Sequence, residues 1–131
     1  MDGFIDNIED ATVENPNSRH VLYSGKHLQL VLISLGPSQE TGVAVHDEGD
    51  QFLRIEVGQG VVTIDARESE IADGDGIDIP AGARHILKNT GEKPLKLFSL
   101  YAPPRYRESH VAATLDDAEA LPEKFDGEIT E

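Results

Sequence analysis

From Val21 onward the chain alternates short apolar runs with turn-forming residues: "HVLYSG", "HLQLVLISLG", "GVAVH", "QFLRIEVGQG", "VVTID", "GIDIPAG", "HILKNTG" and "LKLFSLY". Runs of this length at this spacing predict the strands of a sandwich or barrel rather than helices. The segment "LVLISL", residues 30–35, is apolar at nearly every position. That pattern predicts a strand buried on both faces, as when one sheet packs on another and also meets a partner, and a homodimer is a natural consequence. Gly58 and Gly60 around Gln59 predict a tight hairpin joining "QFLRIEV" to "VVTID", and residues 90–94 predict a turn between two strands. In the tail, Thr114 as N-cap, the acids after it and Pro122 as a stop predict a helix of about two turns. The expected organisation is an acidic N-terminal segment over 1–20, an all-β barrel over 21–104 and a tail with a short helix over 105–131.

Composition narrows what such a barrel can do. At 131 residues the chain has the size of one domain with one core. With 25 acids against 11 bases and a formal charge of -14, it is poorly suited to phosphate backbones or anionic membrane surfaces. No nucleic-acid or membrane partner is expected. The absence of cysteine excludes disulfides, thiolate ligands and a cysteine nucleophile, so any metal must be held by nitrogen and oxygen. The N-terminus is acidic and lacks a basic start followed by an apolar run, which predicts a soluble, cytoplasmic protein.

The most informative stretch is "GDGIDIPAGARHILKN", spaced Gly74-x5-Pro80-x-Gly82-x2-His85-x3-Asn89. Pro80 and Gly82 bend the chain between strands without demanding ladder hydrogen bonds. Alternation then places His85, Leu87 and Asn89 on one face of the next strand and Ile86 and Lys88 on the other. This spacing matches the second signature of the cupin superfamily, and the chain resembles a small single-domain cupin. The first signature of that family runs glycine, five residues, His-x-His, three or four residues, glutamate, six residues and glycine. Here its intervals fall on Ser38, Ala44, His46, Gln51 and Gly58, so three lettered positions differ: Ser38 for glycine, Ala44 for the first histidine and Gln51 for the glutamate. The resemblance covers about residues 30–103 and implies a double-stranded β-helix, a jelly-roll barrel of antiparallel sheets commonly paired into dimers.

Cupins with the full set hold a divalent metal through three histidines and a glutamate, and the resemblance carries over His46 and His85 as unaltered ligands. Gln51 can add its amide oxygen, giving a neutral facial set that leaves positions open for water or substrate. Such a set suits nickel, copper or zinc, with iron and manganese as further candidates. The alternative is a pair of hydrogen-bonded histidines without metal. Glu48 in the adjoining turn is a weak further ligand candidate, with a solvated turn acid as the default, and Asp50 must face away from Gln51. Tyr23 and Tyr101 can lend a phenol to the barrel mouth or pack in its wall. His20, His27 and His110 lie in polar or flanking positions and are expected to be exposed. The cluster Arg105, Tyr106 and Arg107 can clamp an anion over the mouth or pair with the chain's own acids, the default.

Three uses of the barrel follow. It can bind a small-molecule ligand or substrate over a divalent metal, bind a ligand without metal as a sensor, or act as a metal-dependent isomerase or dioxygenase. Sugar-phosphate isomerases need basic residues for the phosphate, for which only Arg84 and Arg54 offer themselves, and alternation turns Arg84 away from the interior.

Overall fold

The computed structural model of the chain describes residues 1–120 and 124–131. It contains a helix α1 (Ile8–Glu14), strands β1 (Arg19–Ser24), β2 (Gln29–Leu35), β3 (Ala44–Val45), β4 (Asp50–Val57), β5 (Gln59–Ile64), β6 (Arg67–Ala72), β7 (Gly76–Ile79), β8 (Arg84–Asn89), β9 (Leu95–Ala102) and β10 (Val111–Ala112), and a helix α2 (Leu115–Glu119). The strands form a six-stranded sheet, β10-β1-β2-β9-β4-β7, facing a four-stranded sheet, β3-β8-β5-β6, with every pairing antiparallel. This is the all-β jelly roll expected from the sequence, including the short helix in the tail.

The core lies between the sheets and follows strict alternation. Leu53 and Ile55 of β4, Leu95 and Leu97 of β9, Val62 of β5, Ile77 and Ile79 of β7 and Leu87 of β8 meet in one cluster. Each such side chain contributes roughly 1.5–3 kcal/mol by leaving water. On β8, His85, Leu87 and Asn89 are all buried while Lys88 is exposed, as the period of two requires.

Several connections depart from the expectation. The link through Gly58 is not a hairpin: β4 belongs to the six-stranded sheet and β5 to the four-stranded one, so the chain crosses between layers there. Gly58 takes φ +97, and a methyl on Gly60 would strike the Lys88 carbonyl, so these glycines serve a crossover and a close approach. The true hairpin follows, joining β5 to β6. Strand β6 is exposed except at Ile71, and without an apolar run it left no sequence signal. Residues 90–94 do connect two strands, again across the layers.

Both faces of β2 are buried, as expected, but within the chain itself: Val31 and Leu35 face inward, and Leu30 and Leu32 are covered on the opposite side. Helix α1, which the acidic reading of residues 1–20 did not include, packs on β2, β9 and β4. Asn7 caps it by accepting from the Asp10 amide at 3.0 Å, and Glu9 and Asp10 occupy its first turn. At its other end Lys96 Nζ donates to the Val13 and Asn15 carbonyls, each at 2.8 Å. In the tail Thr114 caps α2, as predicted, by accepting from the Asp117 amide. That helix is a single short turn rather than two, and Pro122 lies outside the described residues.

Asn89, the last position of the second signature, is fully buried and ties the two layers together. Its Nδ2 donates to the Leu35 and Lys93 carbonyls at 2.9 and 2.8 Å, and its Oδ1 accepts from the Gly91 amide at 2.9 Å. Asn89→Leu keeps the volume but strands three backbone groups. We expect a loss of at least ~2 kcal/mol in urea unfolding, and a loss below ~0.5 kcal/mol would remove the structural role given to this residue.

Candidate functional site

One polar row crosses the six-stranded sheet at its mouth end. Tyr101 of β9 is in register with Gln29 of β2 on one side and Gln51 of β4 on the other. Gln29 is fully buried and fully satisfied: its Nε2 donates to Ser24 Oγ at 2.8 Å and the Tyr106 carbonyl at 2.7 Å, while its Oε1 accepts from the Arg105 and Tyr106 amides. It therefore fixes the backbone of residues 105 and 106 over the barrel. Gln51 is satisfied on one side only. Its Nε2 donates to Ser99 Oγ at 2.9 Å and Tyr101 Oη at 3.0 Å, whereas its Oε1 is buried without a hydrogen-bond partner.

Two imidazoles join this row. Gln51 and His85 line the same cavity as Tyr101, and the His46 ring lies 6.0 Å from the Tyr101 ring, edge to face. His85 Nδ1 sits 3.3 Å from the Ala83 carbonyl, which favours the proton on Nδ1 and leaves Nε2 with a lone pair. His46 Nδ1 is buried and has no hydrogen-bond partner. Burial, followed by the nearby Arg105 charge, holds the His46 pKa below its ordinary value. Burial likewise lowers that of His85, with the Ala83 carbonyl opposing and Arg105 assisting. Tyr101 is pushed upward, mainly by burial and then by Tyr106, so its phenol stays protonated. The site thus presents neutral, electron-rich atoms. A divalent cation or an N–H or O–H donor would satisfy them, and the donor types fit a metal that accepts nitrogen and oxygen ligands.

The cavity above the row has a volume of about 420 Å³ and is walled by Ile33, Leu35, Leu53, Leu87 and Leu115, with Ala118 and Glu119 of α2 at its rim. The tail helix is thus part of the barrel's own roof. Arg19, Arg105 and Tyr106 also line it.

Other expected residues fall elsewhere. Tyr23, on β1, does not line the cavity: its hydroxyl donates to Glu131 Oε2 at 2.6 Å and its ring stacks on Phe4, which corrects its assignment as a ligand contact. Glu48 is exposed in its turn, and among the described residues no three His, Asp or Glu side chains gather closely enough to hold an ion, so it does not complete the pair. Asp50 faces outward and accepts from the Ala81 amide. Arg54 and Arg84 are exposed, Arg54 pairing with Glu56 at 2.8 Å. His27 is exposed as expected, whereas His110 stacks on Tyr106 with centroids 5.8 Å apart. Arg107 lies 3.8 Å from Asp126, in keeping with the default for the cluster, but Arg105 points to the cavity. Ser99, Gln29 and Arg19 were not anticipated. The only sequence signal for the first two was a polar residue inside an apolar strand run.

Ser38, at the first signature position, has φ +67, in the left-handed region that glycine tolerates best. The departure from glycine leaves the backbone requirement in place. With signature geometry, jelly roll and mouth-end polar row together, the architecture is that of a cupin. The family model described as "Cupin domain" matches residues 31–101, and the chain belongs to this family. It is 42% identical over 123 residues to the uncharacterized protein YrkC of Bacillus subtilis, covering 89% of this chain and 66% of that protein. The solved structure of BH2720 from Bacillus halodurans superposes with a TM-score of 0.87 at 41% identity, covering 90% of this chain and 94% of the other. TT1209 from Thermus thermophilus superposes at 0.68 with 27% identity, covering 76% and 96%. Among the described residues no helix is long and apolar enough to cross a membrane.

The histidine shifts have a stability consequence. A folded-state pKa below the unfolded value of 6.5 means that the unfolded chain binds more protons just below that pH, so acidification favours unfolding. Stability of the metal-free protein should be flat above pH 7 and should fall as pH drops through about 6.5, before the carboxylates titrate. The His46→Gln, His85→Gln double variant should lose that part of the slope in unfolding curves taken at successive pH values. An unchanged slope would assign it to other groups.

Proposed function

We propose that this cupin binds a divalent cation weakly through His46, His85 and Gln51 and holds a small organic molecule in the barrel above it. The observation that carries this reading is Gln51: its amide is clamped by Ser99 and Tyr101, while its Oε1 remains buried and unpartnered beside a cavity of about 420 Å³. An unsatisfied buried acceptor is costly unless something electron-poor completes it. A cation bound there would act as a Lewis acid on a ligand oxygen. The protein's own contributions are distinct: two hydroxyls orient the Gln51 amide, the Ala83 carbonyl orients His85, and the apolar walls with α2 at the rim limit water.

Affinity is set low by charge. The three donors are neutral and the Arg105 cation lies close enough to influence both imidazoles. Among the described residues no third His, Asp or Glu side chain joins the pair as a ligand, and Glu48 and Asp47 act on His46 only as nearby charges. That observation favours a second reading, a ligand-binding barrel without metal. For a sugar-phosphate isomerase, Arg54 and Arg84, the phosphate handles expected from the sequence, are exposed, and the arginines that line the cavity are Arg19 and Arg105, beside Glu119.

One substitution separates the two main readings. Ser99 and Tyr101 can reverse their hydroxyls and donate to a carboxylate, so Gln51→Glu is expected to fold and to supply the missing charge. Calorimetric titration with Zn²⁺ or Ni²⁺ should show binding by the parent, about tenfold or more tighter binding by Gln51→Glu, equivalent to ~1.4 kcal/mol, and none by His85→Ala. If the parent binds neither ion and gains no thermal stability from them, the metal reading falls and the metal-free barrel stands.

A further inference from the structure

Two guanidinium groups line the cavity of a chain that carries 25 acids for 11 bases, yet among the described residues neither is neutralised by one of those acids. Arg19 lies over the Tyr106 ring at 4.2 Å and donates through Nη2 to the Ala118 carbonyl at 2.7 Å. Its Nη1 is buried without a hydrogen-bond partner. Arg105 lies 5.7 Å from the same ring, its backbone amide pinned by Gln29 Oε1 at 3.1 Å. Among the described residues, the ion pairs with defined geometry are Arg54 with Glu56 and Arg107 with Asp126, and neither involves these two arginines. Two arginines that line one cavity without a carboxylate partner concentrate positive charge there, which an anion would balance.

We propose that the barrel takes a small organic monocarboxylate, its carboxylate held by Arg105 with the Arg19 charge beside it, and its apolar body lying against Ile33, Leu35, Leu53 and Leu87. This rests on reading the barrel as a ligand cavity and names the class of its occupant. A carboxylate matches the planar donors of a guanidinium. The walls favour a branched or aromatic body, and the volume of about 420 Å³ falls at the small end of the roughly 300–1,000 Å³ range of small-molecule pockets. Glu119 at the rim and the net charge of -14 disfavour a second anionic group, which sets a monocarboxylate apart from a phosphate ester.

The test uses the full chain treated with EDTA, and the same protein with Zn²⁺ restored. Benzoate and 3-methylbutanoate are titrated by calorimetry and by protein NMR against the matched neutral amides, benzamide and 3-methylbutanamide, and against inorganic phosphate. The acids should bind with Kd below about 10 mM and the amides at least tenfold more weakly. Arg105→Gln, whose backbone anchor to Gln29 is retained, should weaken the acids about tenfold while leaving the amides unchanged. Amides that bind as well as the acids would overturn the proposal but leave the barrel as a ligand cavity. Phosphate binding in place of the acids, or acid binding that needs Zn²⁺ and ignores Arg105→Gln, would also overturn it. If neither acids nor amides bind in either state, both this proposal and the cavity reading fall, whereas loss of Zn²⁺ binding alone touches only the metal.

Discussion

The register of β9 between β2 and β4 is the constraint on which the rest of the molecule depends. Along this strand Leu95, Leu97, Ser99 and Tyr101 face inward and Lys96, Phe98 and Leu100 face out. Across the sheet these positions stack as rows: Leu35 with Leu95, Ile33 with Leu97 and Ile55, Val31 with Ser99 and Leu53, Gln29 with Tyr101 and Gln51. Three rows are largely apolar and make the core. The last is polar and makes the floor of the site. A slip of one residue would turn Lys96, Phe98 and Leu100 inward, losing core and site together, because side chains alternate with a period of two. Fold stability and site geometry therefore have a common origin.

The two glutamines of the polar row show how one residue type serves two ends. Gln29 uses both of its amide atoms on Ser24 and on the backbone of residues 105 and 106, so it acts as a staple. Gln51 uses only its donor side, and its acceptor is buried without a hydrogen-bond partner. Between them Tyr101, held protonated by burial, joins the pair in one polar layer. The consequence is electrostatic. The floor offers neutral acceptors, and the roof, fixed through Gln29, brings a cation toward them. A lone cation in the floor would be repelled by the roof, whereas an anion in the cavity would be attracted to the roof.

Much of this was legible from the chain, and what was not has identifiable causes. The buried strands advertised themselves by apolar alternation, and the second signature placed His85 and Asn89 on the inner face, where they are. Thr114 announced the tail helix by its capping chemistry. The glycines at 58 and 60 misled because open backbone geometry is needed equally by a hairpin and by a crossover between sheets, and only the pairing partners of β4 and β5 distinguish them. Strand β6 was invisible because its first four residues are exposed and polar. At the site, Gln51 was found by its interval from His46, but the free state of its Oε1 depends on Ser99, forty-eight positions away, which no local pattern could supply. Tyr23 was misplaced for a similar reason: its partner, Glu131, lies at the far end of the chain.

The matched family segment ends at residue 101, and this boundary divides the labour of the site. Within it lie the strands, the imidazoles, Gln51 and Tyr101, which are the floor and walls. Outside it lie Arg19, Arg105, Tyr106 and α2, which are the roof. The flanks are integral to the barrel: β10 pairs with β1, Arg19 reaches the carbonyl of Ala118, and Gln29 draws residues 105 and 106 inward. On the proposed reading of the barrel as a ligand cavity, a neutral floor leaves discrimination to the groups that close over it. In this chain those groups are two guanidiniums, an aromatic ring within reach of both and a short helix with one acid at the rim. Within the roof, Tyr106 and Leu115 also pack against the core, whereas the side chains of Arg19 and Arg105 belong to neither hydrophobic cluster and can change while the core rows and their register remain untouched.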